Sequence, residues 1–346
     1  MGNFEKVFSL NLKLTSRCNL ACRYCPNEKT DDVMRNDVIA KGVDWFRNFG
    51  KWRKNSYNYI ELSGGEVTLV PQKLEYAFRI IDDDIIVKVI TNGTGFKSSW
   101  VRKIFEKNAD RLDLIISVDG NREKHDYNRK TLVGGSSWDL IDWDFVFGTK
   151  WHSLTASLVC TLNNVDSLMS RVMEAKELGF SSVGISVDHT LLWPEEKLLE
   201  YEIQLCQLLG KMRRGEVEIV LFRSIDSMKS CGVYCCKCTD GYYSEYTVLE
   251  DGRVTPCKGF SDVFGRMIGW DVKYGDITNW VDKDFGFSWN VDSEDDGEEC
   301  KNCISRYRCG CIPVRIMKYN YKDNRFDSIC KLNRIEDKVW NCWNIR

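Results

Sequence analysis

No apolar run in this chain approaches the roughly 20 residues that a membrane span requires. The start, Met1-Gly2-Asn3-Phe4-Glu5-Lys6, places no apolar stretch behind a basic residue, so no secretory signal is expected. Gly2 follows Met1, but Lys6 stands where acylation of Gly2 would want Ser or Thr. Charge of one sign is lacking too. The formal net charge is −2, with acidic and basic residues mixed, which speaks against a nucleic-acid partner or a strongly acidic substrate. There is no repeat at a fixed period and no low-complexity segment. What remains is a cytoplasmic globular chain of 346 residues, 43% apolar, enough for one large core or two smaller ones.

Sixteen cysteines are present. Reducing compartments keep thiols from pairing, so metal explains them better than a disulfide framework. Cys18, Cys22 and Cys25 cluster near the start, and eleven more lie between Cys231 and Cys342. Cys160, Cys206 and Cys342 read as small core residues.

Up to about residue 215, apolar strand-like segments alternate with amphipathic helical ones. The strands are expected at Val7–Leu14, Tyr57–Leu62, Ile85–Thr91, Leu112–Val118, Thr155–Leu162 and Ser182–Val187, buried on both faces. Helices are expected at Val38–Phe49, Lys97–Lys107, Val165–Leu178 and Glu195–Arg213. Six such units predict an α/β fold, a partial (β/α)6 TIM-like barrel over residues 1–215, with its chemistry at the carboxyl ends of the strands. After a bridging region, 216–230, residues 231–346 read as a smaller cysteine-rich domain. Short strands Glu245–Leu249 and Arg253–Pro256 flank an Asp251-Gly252 turn there, and metal clusters would supply much of the folding free energy.

The sharpest local feature is C-x3-C-x2-C, Cys18, Cys22 and Cys25, directly after the first strand. Three thiolates can hold three irons of a [4Fe–4S] cube and leave the fourth open, whereas a structural zinc site closes four ligands. This spacing resembles the signature of the radical S-adenosylmethionine (SAM) superfamily. The resemblance implies that the open iron binds SAM, which is cleaved to a 5′-deoxyadenosyl radical that abstracts hydrogen from substrate. It extends to Tyr24, which would pack on adenine, and to Gly64-Gly65-Glu66, which would hold the methionine amino group. Asn92 and Ser117, at the ends of the third and fourth strands, resemble positions near SAM.

The later cysteines resemble the SPASM extension of the same superfamily. Cys238, Gly252 and Cys257 stand in its order, then Cys300, Cys303, Cys309, Cys311 and Cys330, with one residue between Cys309 and Cys311 where three are usual. The resemblance implies two auxiliary [4Fe–4S] clusters, three in all. One would use Cys238, Cys257, Cys311 and an upstream cysteine, with Cys231 favoured over Cys235 and Cys236. The other would use Cys300, Cys303, Cys309 and Cys330. The alternative is structural zinc, since C-x2-C is also a zinc spacing.

The stretch Ser117-Val118-Asp119-Gly120 with His125-Asp126 and Arg129 is similar to one common in SPASM enzymes that modify peptides. The expected function is therefore oxidative modification, such as cross-linking, of a ribosomally made peptide, with flavodoxin or ferredoxin as reductant. Lys258 replaces the Asp that serves as base in sulfatase maturases, which argues against formylglycine formation. Asp188, His189 and Lys258 are candidate proton-transfer groups, and Cys235 or Cys236 a candidate hydrogen donor. The alternative activity is epimerisation or dehydrogenation of a small polar metabolite such as a sugar or aminocyclitol. A cluster-bearing redox protein without SAM chemistry is a third possibility. The twelve tryptophans could line a peptide surface, though core packing explains aromatics more often.

Overall fold

The computed structural model describes residues 6–50, 56–221, 243–255, 275–276, 299, 302–305 and 325–344. Six strands form its parallel centre: β1 (Lys6–Thr15), β3 (Ser56–Gly64), β4 (Ile86–Thr91), β5 (Leu112–Ser117), β7 (Ser153–Cys160) and β8 (Ser182–Val187), hydrogen-bonded in that order. Between them run α1 (Asn36–Gly50), α2 (Pro71–Ile80), α3 (Ser99–Lys107), α4 (Arg122–Asn128), α5 (Trp143–Gly148) and α6 (Leu168–Leu178), and α7 (Glu195–Arg213) follows β8. This is the expected α/β arrangement of successive parallel strands with helical crossovers.

Alternate residues of each strand face the helices. Leu10, Leu12, Leu14, Val87, Val89, Leu112, Leu114, Ile116 and Leu158 are all fully buried against α1–α3 and α6, whose own apolar residues complete one core. The opposite face is polar, which differs from the expectation of strands apolar on both sides. Ser9, Asn11 and Lys13 of β1 lie on it, as do Ser63 of β3, Asp113 of β5 and Thr155 of β7. Hydroxyls and amides pair across the strands there: Ser63 Oγ donates to Asn11 Oδ1 at 2.7 Å, and Thr155 and Ser182 hydroxyls meet at 2.7 Å. Ser9, Asn11, Lys13 and Ser63 are themselves buried, so these strands are buried on both faces as expected, with polar residues on one of them.

The described part of the C-terminal region continues this sheet. β9 (Tyr243–Val248) pairs parallel to β1 on the edge away from β3, and β10 (Arg253–Thr255) and β11 (Gly275–Asp276) follow antiparallel. A separate two-stranded ribbon, β2 (Leu20–Cys22) with β6 (Arg129–Thr131), sits beyond the end of β1.

A last helix, α8 (Arg325–Asn344), packs on α7 and is not anticipated by the sequence pattern. The two run parallel. Trp193 N–H donates to Ser328 Oγ at 2.8 Å, Tyr201 O–H to Glu336 Oε1 at 2.7 Å, and Lys331 and Lys338 pair with Glu195 and Glu202. Tyr201→Phe would leave the buried Glu336 oxygen without this donor and lower the unfolding free energy by about 1–3 kcal/mol. Anaerobic urea denaturation checks this, and an unchanged midpoint would contradict it.

Candidate active site

Cys18, Cys22 and Cys25 lie on the loop that leaves the carboxyl end of β1, each partly exposed with a free thiol. Cys25 N–H donates to Cys22 O at 3.2 Å, curling the chain so that the thiols share one loop. In the ribbon, Cys22 stands opposite Arg129. Burial pushes the Cys18 thiol up to about 11 and also raises that of Cys22. A cationic centre is what reverses that preference, so three half-buried thiols on one loop suit an iron–sulfur cluster rather than free thiolates.

The end of β3 presses on the root of this loop. Gly65 N–H donates to Thr15 O at 2.8 Å and Glu66 N–H to Arg17 O at 2.7 Å. A Cβ on Gly65 would fall 2.3 Å from Arg17 O, so only glycine permits the approach. Glu66 is buried, while Gly64 and Gly65 stay partly exposed. Its Oε1 accepts from Thr68 N–H at 3.0 Å and from the Thr68 and Thr91 hydroxyls, both at 2.6 Å; Oε2 accepts Asn92 N–H at 2.6 Å. Burial raises the Glu66 pKa, with those hydrogen bonds opposing it. The carboxylate expected to touch SAM is thus engaged within the protein, joining β3 to β4. Asn92 continues the link, donating to Asn19 Oδ1 at 2.9 Å inside the cysteine loop.

Asp119, just past β5, has no exposed surface. Its Oδ2 accepts the Tyr24 hydroxyl and Arg129 Nε at 2.9 Å; its Oδ1 accepts Arg171 Nη2 at 2.8 Å and Val159 N–H at 3.2 Å. Burial alone would raise the Asp119 pKa, but the Arg129 and Arg171 guanidiniums outweigh it and hold it below the usual range. Arg129 also lies 5.2 Å from the centre of the Tyr24 ring. Tyr24, expected to face adenine, is therefore fixed through its hydroxyl. Behind Arg129, Ser137 Oγ donates to its carbonyl and lies 2.9 Å from His125 Nε2. Arg171 is the functional residue that motif reading misses. Its signal is a charge on the buried stripe Leu168, Arg171, Val172, Ala175 of α6.

Other expected residues are dispersed. Ser117 is partly exposed at the end of β5, opposite Ser157. Asp188 Oδ1 accepts Thr190 N–H at 2.9 Å and its hydroxyl at 2.5 Å, closing a turn after β8. Arg334 hydrogen-bonds Cys303, and that bond, then the charge of Cys330, draws its pKa up. Cys231, Cys235, Cys236, Cys238, Cys257, Lys258, Cys300, Cys309 and Cys311 lie outside the described residues. So do Trp270, Trp280 and Trp289, whereas Trp138, Trp143, Trp193 and Trp340 pack in or against the core. Cys160 is buried as expected. Cys206 and Cys342 are not: both are exposed, because α7 turns that side away from the barrel and α8 covers only part of it.

Residues 12–141 match the Radical SAM superfamily model. The chain is 23% identical to the PqqA peptide cyclase of Methylobacterium sp. (strain 4-46), over 94% of this chain and 86% of that protein. It is also 23% identical to the cysteine-type anaerobic sulfatase-maturating enzyme of Clostridium perfringens, over 92% and 90%. The solved structure of native anSMEcpe with bound AdoMet superposes with a TM-score of 0.72 at 20% identity, covering 98% of this chain and all of that one.

Asp119→Asn would leave two buried guanidiniums short of counter-charge and cost about 3–5 kcal/mol. Tyr24→Phe, which removes one hydrogen bond to the same carboxylate, would cost about 1.5–3 kcal/mol. Anaerobic thermal denaturation ranks the two, and equal or absent losses would contradict the arrangement. His125 gives a pH dependence: burial, then the Arg129 charge, lowers its pKa from 6.5 to about 4. The unfolded chain takes up that proton below about 6.5 while the folded one does not, so stability present at pH 7 is lost as pH falls toward 4. The slope from this group is at most about 1.4 kcal/mol per pH unit. His125→Gln would flatten it between pH 7 and 5 in urea midpoints; an unchanged slope would contradict the assignment.

Proposed function

We propose that this chain, a radical SAM enzyme by its matched domain, oxidatively modifies a ribosomally synthesised peptide, forming a cross-link within it. The observation that carries this reading is the match along nearly the whole chain to two enzymes whose names state a peptide cyclase and a sulfatase maturase. Lys258, in place of an acidic base, favours the cyclase-like outcome. Cys18, Cys22 and Cys25 would hold a [4Fe–4S] cluster, which when bound would supply the electron for reductive cleavage of SAM.

The chain's own residues set the geometry. Asp119 holds the Tyr24 hydroxyl and so orients the ring beside the cysteine loop. The partly exposed backbone of Gly64 and Gly65 is the surface offered to the methionine end of SAM, with Glu66 keeping that backbone in place. Asn92 and Ser117, at the ends of β4 and β5, would add further contacts to SAM. The polar face of the sheet would receive the peptide. Residues 231–346 would form the SPASM domain, with auxiliary clusters on Cys231, Cys238, Cys257, Cys311 and on Cys300, Cys303, Cys309, Cys330. The nearness of Cys303 and Cys330 to Arg334 supports the second set. The electron donor would be a flavodoxin or ferredoxin of the cytoplasm, a compartment that suits sixteen thiols.

The test is an anaerobic, reconstituted preparation given SAM, reductant and a short Cys- or aromatic-containing precursor peptide sought among the genes beside its own. About twelve irons per chain, four per cluster, and a product lighter by a pair of hydrogen atoms are expected. About four irons would overturn the auxiliary clusters, and SAM cleavage with the peptide mass unchanged would overturn the peptide reading.

A further inference from the structure

Cys206 on α7 and Cys342 on α8 belong to none of the three cysteine sets, yet they stand at the register in which the two helices pair. The same spacing of 136 residues separates Glu195 from Lys331 and Glu202 from Lys338, both of which are paired. Cys206 and Cys342 share that offset, each standing one helical turn beyond a member of the Glu202–Lys338 pair. Both are free and exposed. The two thiols also interact: after burial and the Glu202 carboxylate, the charge of Cys342 is a cause that raises the Cys206 pKa.

We propose that Cys206 and Cys342 form a reversible disulfide that fastens α8 to α7. A disulfide needs Cα atoms about 4.4–6.8 Å apart, closer than the 8–10 Å between packed helix axes. Cys342 lies in the last turn of α8, which ends at Asn344, and a terminal turn frays readily enough to close such a gap. The oxidant is a small disulfide of the glutathione class. One thiolate attacks it, forming a mixed disulfide and releasing one thiolate of the reagent. The second cysteine thiolate then displaces the other, forming the protein S–S bond. Two cysteine thiols are oxidised, one reagent disulfide is reduced to two thiols, and the two cysteine protons pass to those thiols or to solvent. The link would tie α8, which carries Cys330, to the barrel helix. It does not depend on the peptide reading above.

The experiment treats the cluster-loaded full chain with oxidised glutathione under anaerobic conditions, alkylates free thiols and digests with trypsin without reductant. Cleavage after Lys197, Lys211 and Lys338 isolates residues 198–211 and 339–346, each with one of the two cysteines. A linked pair of these peptides is expected as the main form. It should vanish on reduction and in Cys206→Ser and Cys342→Ser, where the remaining cysteine appears as a glutathione adduct. Because the link is read by mass, loss of iron during treatment does not obscure it. Recovery of both cysteines as separate adducts, or both alkylated, would overturn the proposal.

Discussion

Everything at the carboxyl end of this sheet turns on one carboxylate that water does not reach. Asp119 follows β5, but its oxygens are held by Arg129 from the ribbon, Arg171 from α6, Tyr24 from the cysteine loop and Val159 from β7. Burying a single carboxylate against two guanidiniums is costly unless the geometry satisfies all of them. Here the cost is offset by five parts of the chain converging on one point, and that convergence makes the loop a defined scaffold rather than a mobile segment bearing thiols. Glu66 does the same at the neighbouring strand ends, with four donors on one buried carboxylate. Between them the two acids fix both sides of the cysteine loop.

That division separates the residues left partly exposed around the cysteine loop from those that hold them. The thiols of Cys18, Cys22 and Cys25 and the backbone of Gly64 and Gly65 keep some exposure, whereas Asp119, Glu66 and Arg171 have almost none. A motif names both kinds alike. Only burial and hydrogen-bond partners show that the Glu66 carboxylate is held by Thr68, Thr91 and Asn92, and that the Tyr24 hydroxyl is bonded to Asp119.

The barrel was legible because each parallel strand carries an unbroken stripe of Val, Ile and Leu, and α7 was placed to its true ends, Glu195–Arg213. Its second face was misread, since Ser and Thr between β-branched residues do not break an apolar run to the eye. They line a polar surface instead. The cysteine loop was legible because its three-cysteine spacing suits a cluster of fixed size. Arg171 was not, because no local pattern announces which helix will meet a carboxylate 52 residues away. Nor was α8, in which Cys330 reads as part of a metal-ligand spacing rather than of a helix.

The central claim is that Cys18, Cys22 and Cys25 hold the cluster that cleaves SAM. Its most direct test replaces all three by alanine and measures iron together with 5′-deoxyadenosine after reduction with dithionite. The account predicts a loss of about four irons, the content of one cube, with no 5′-deoxyadenosine formed and the remaining iron retained. Continued SAM cleavage, or an iron content equal to that of the unaltered chain, would contradict it.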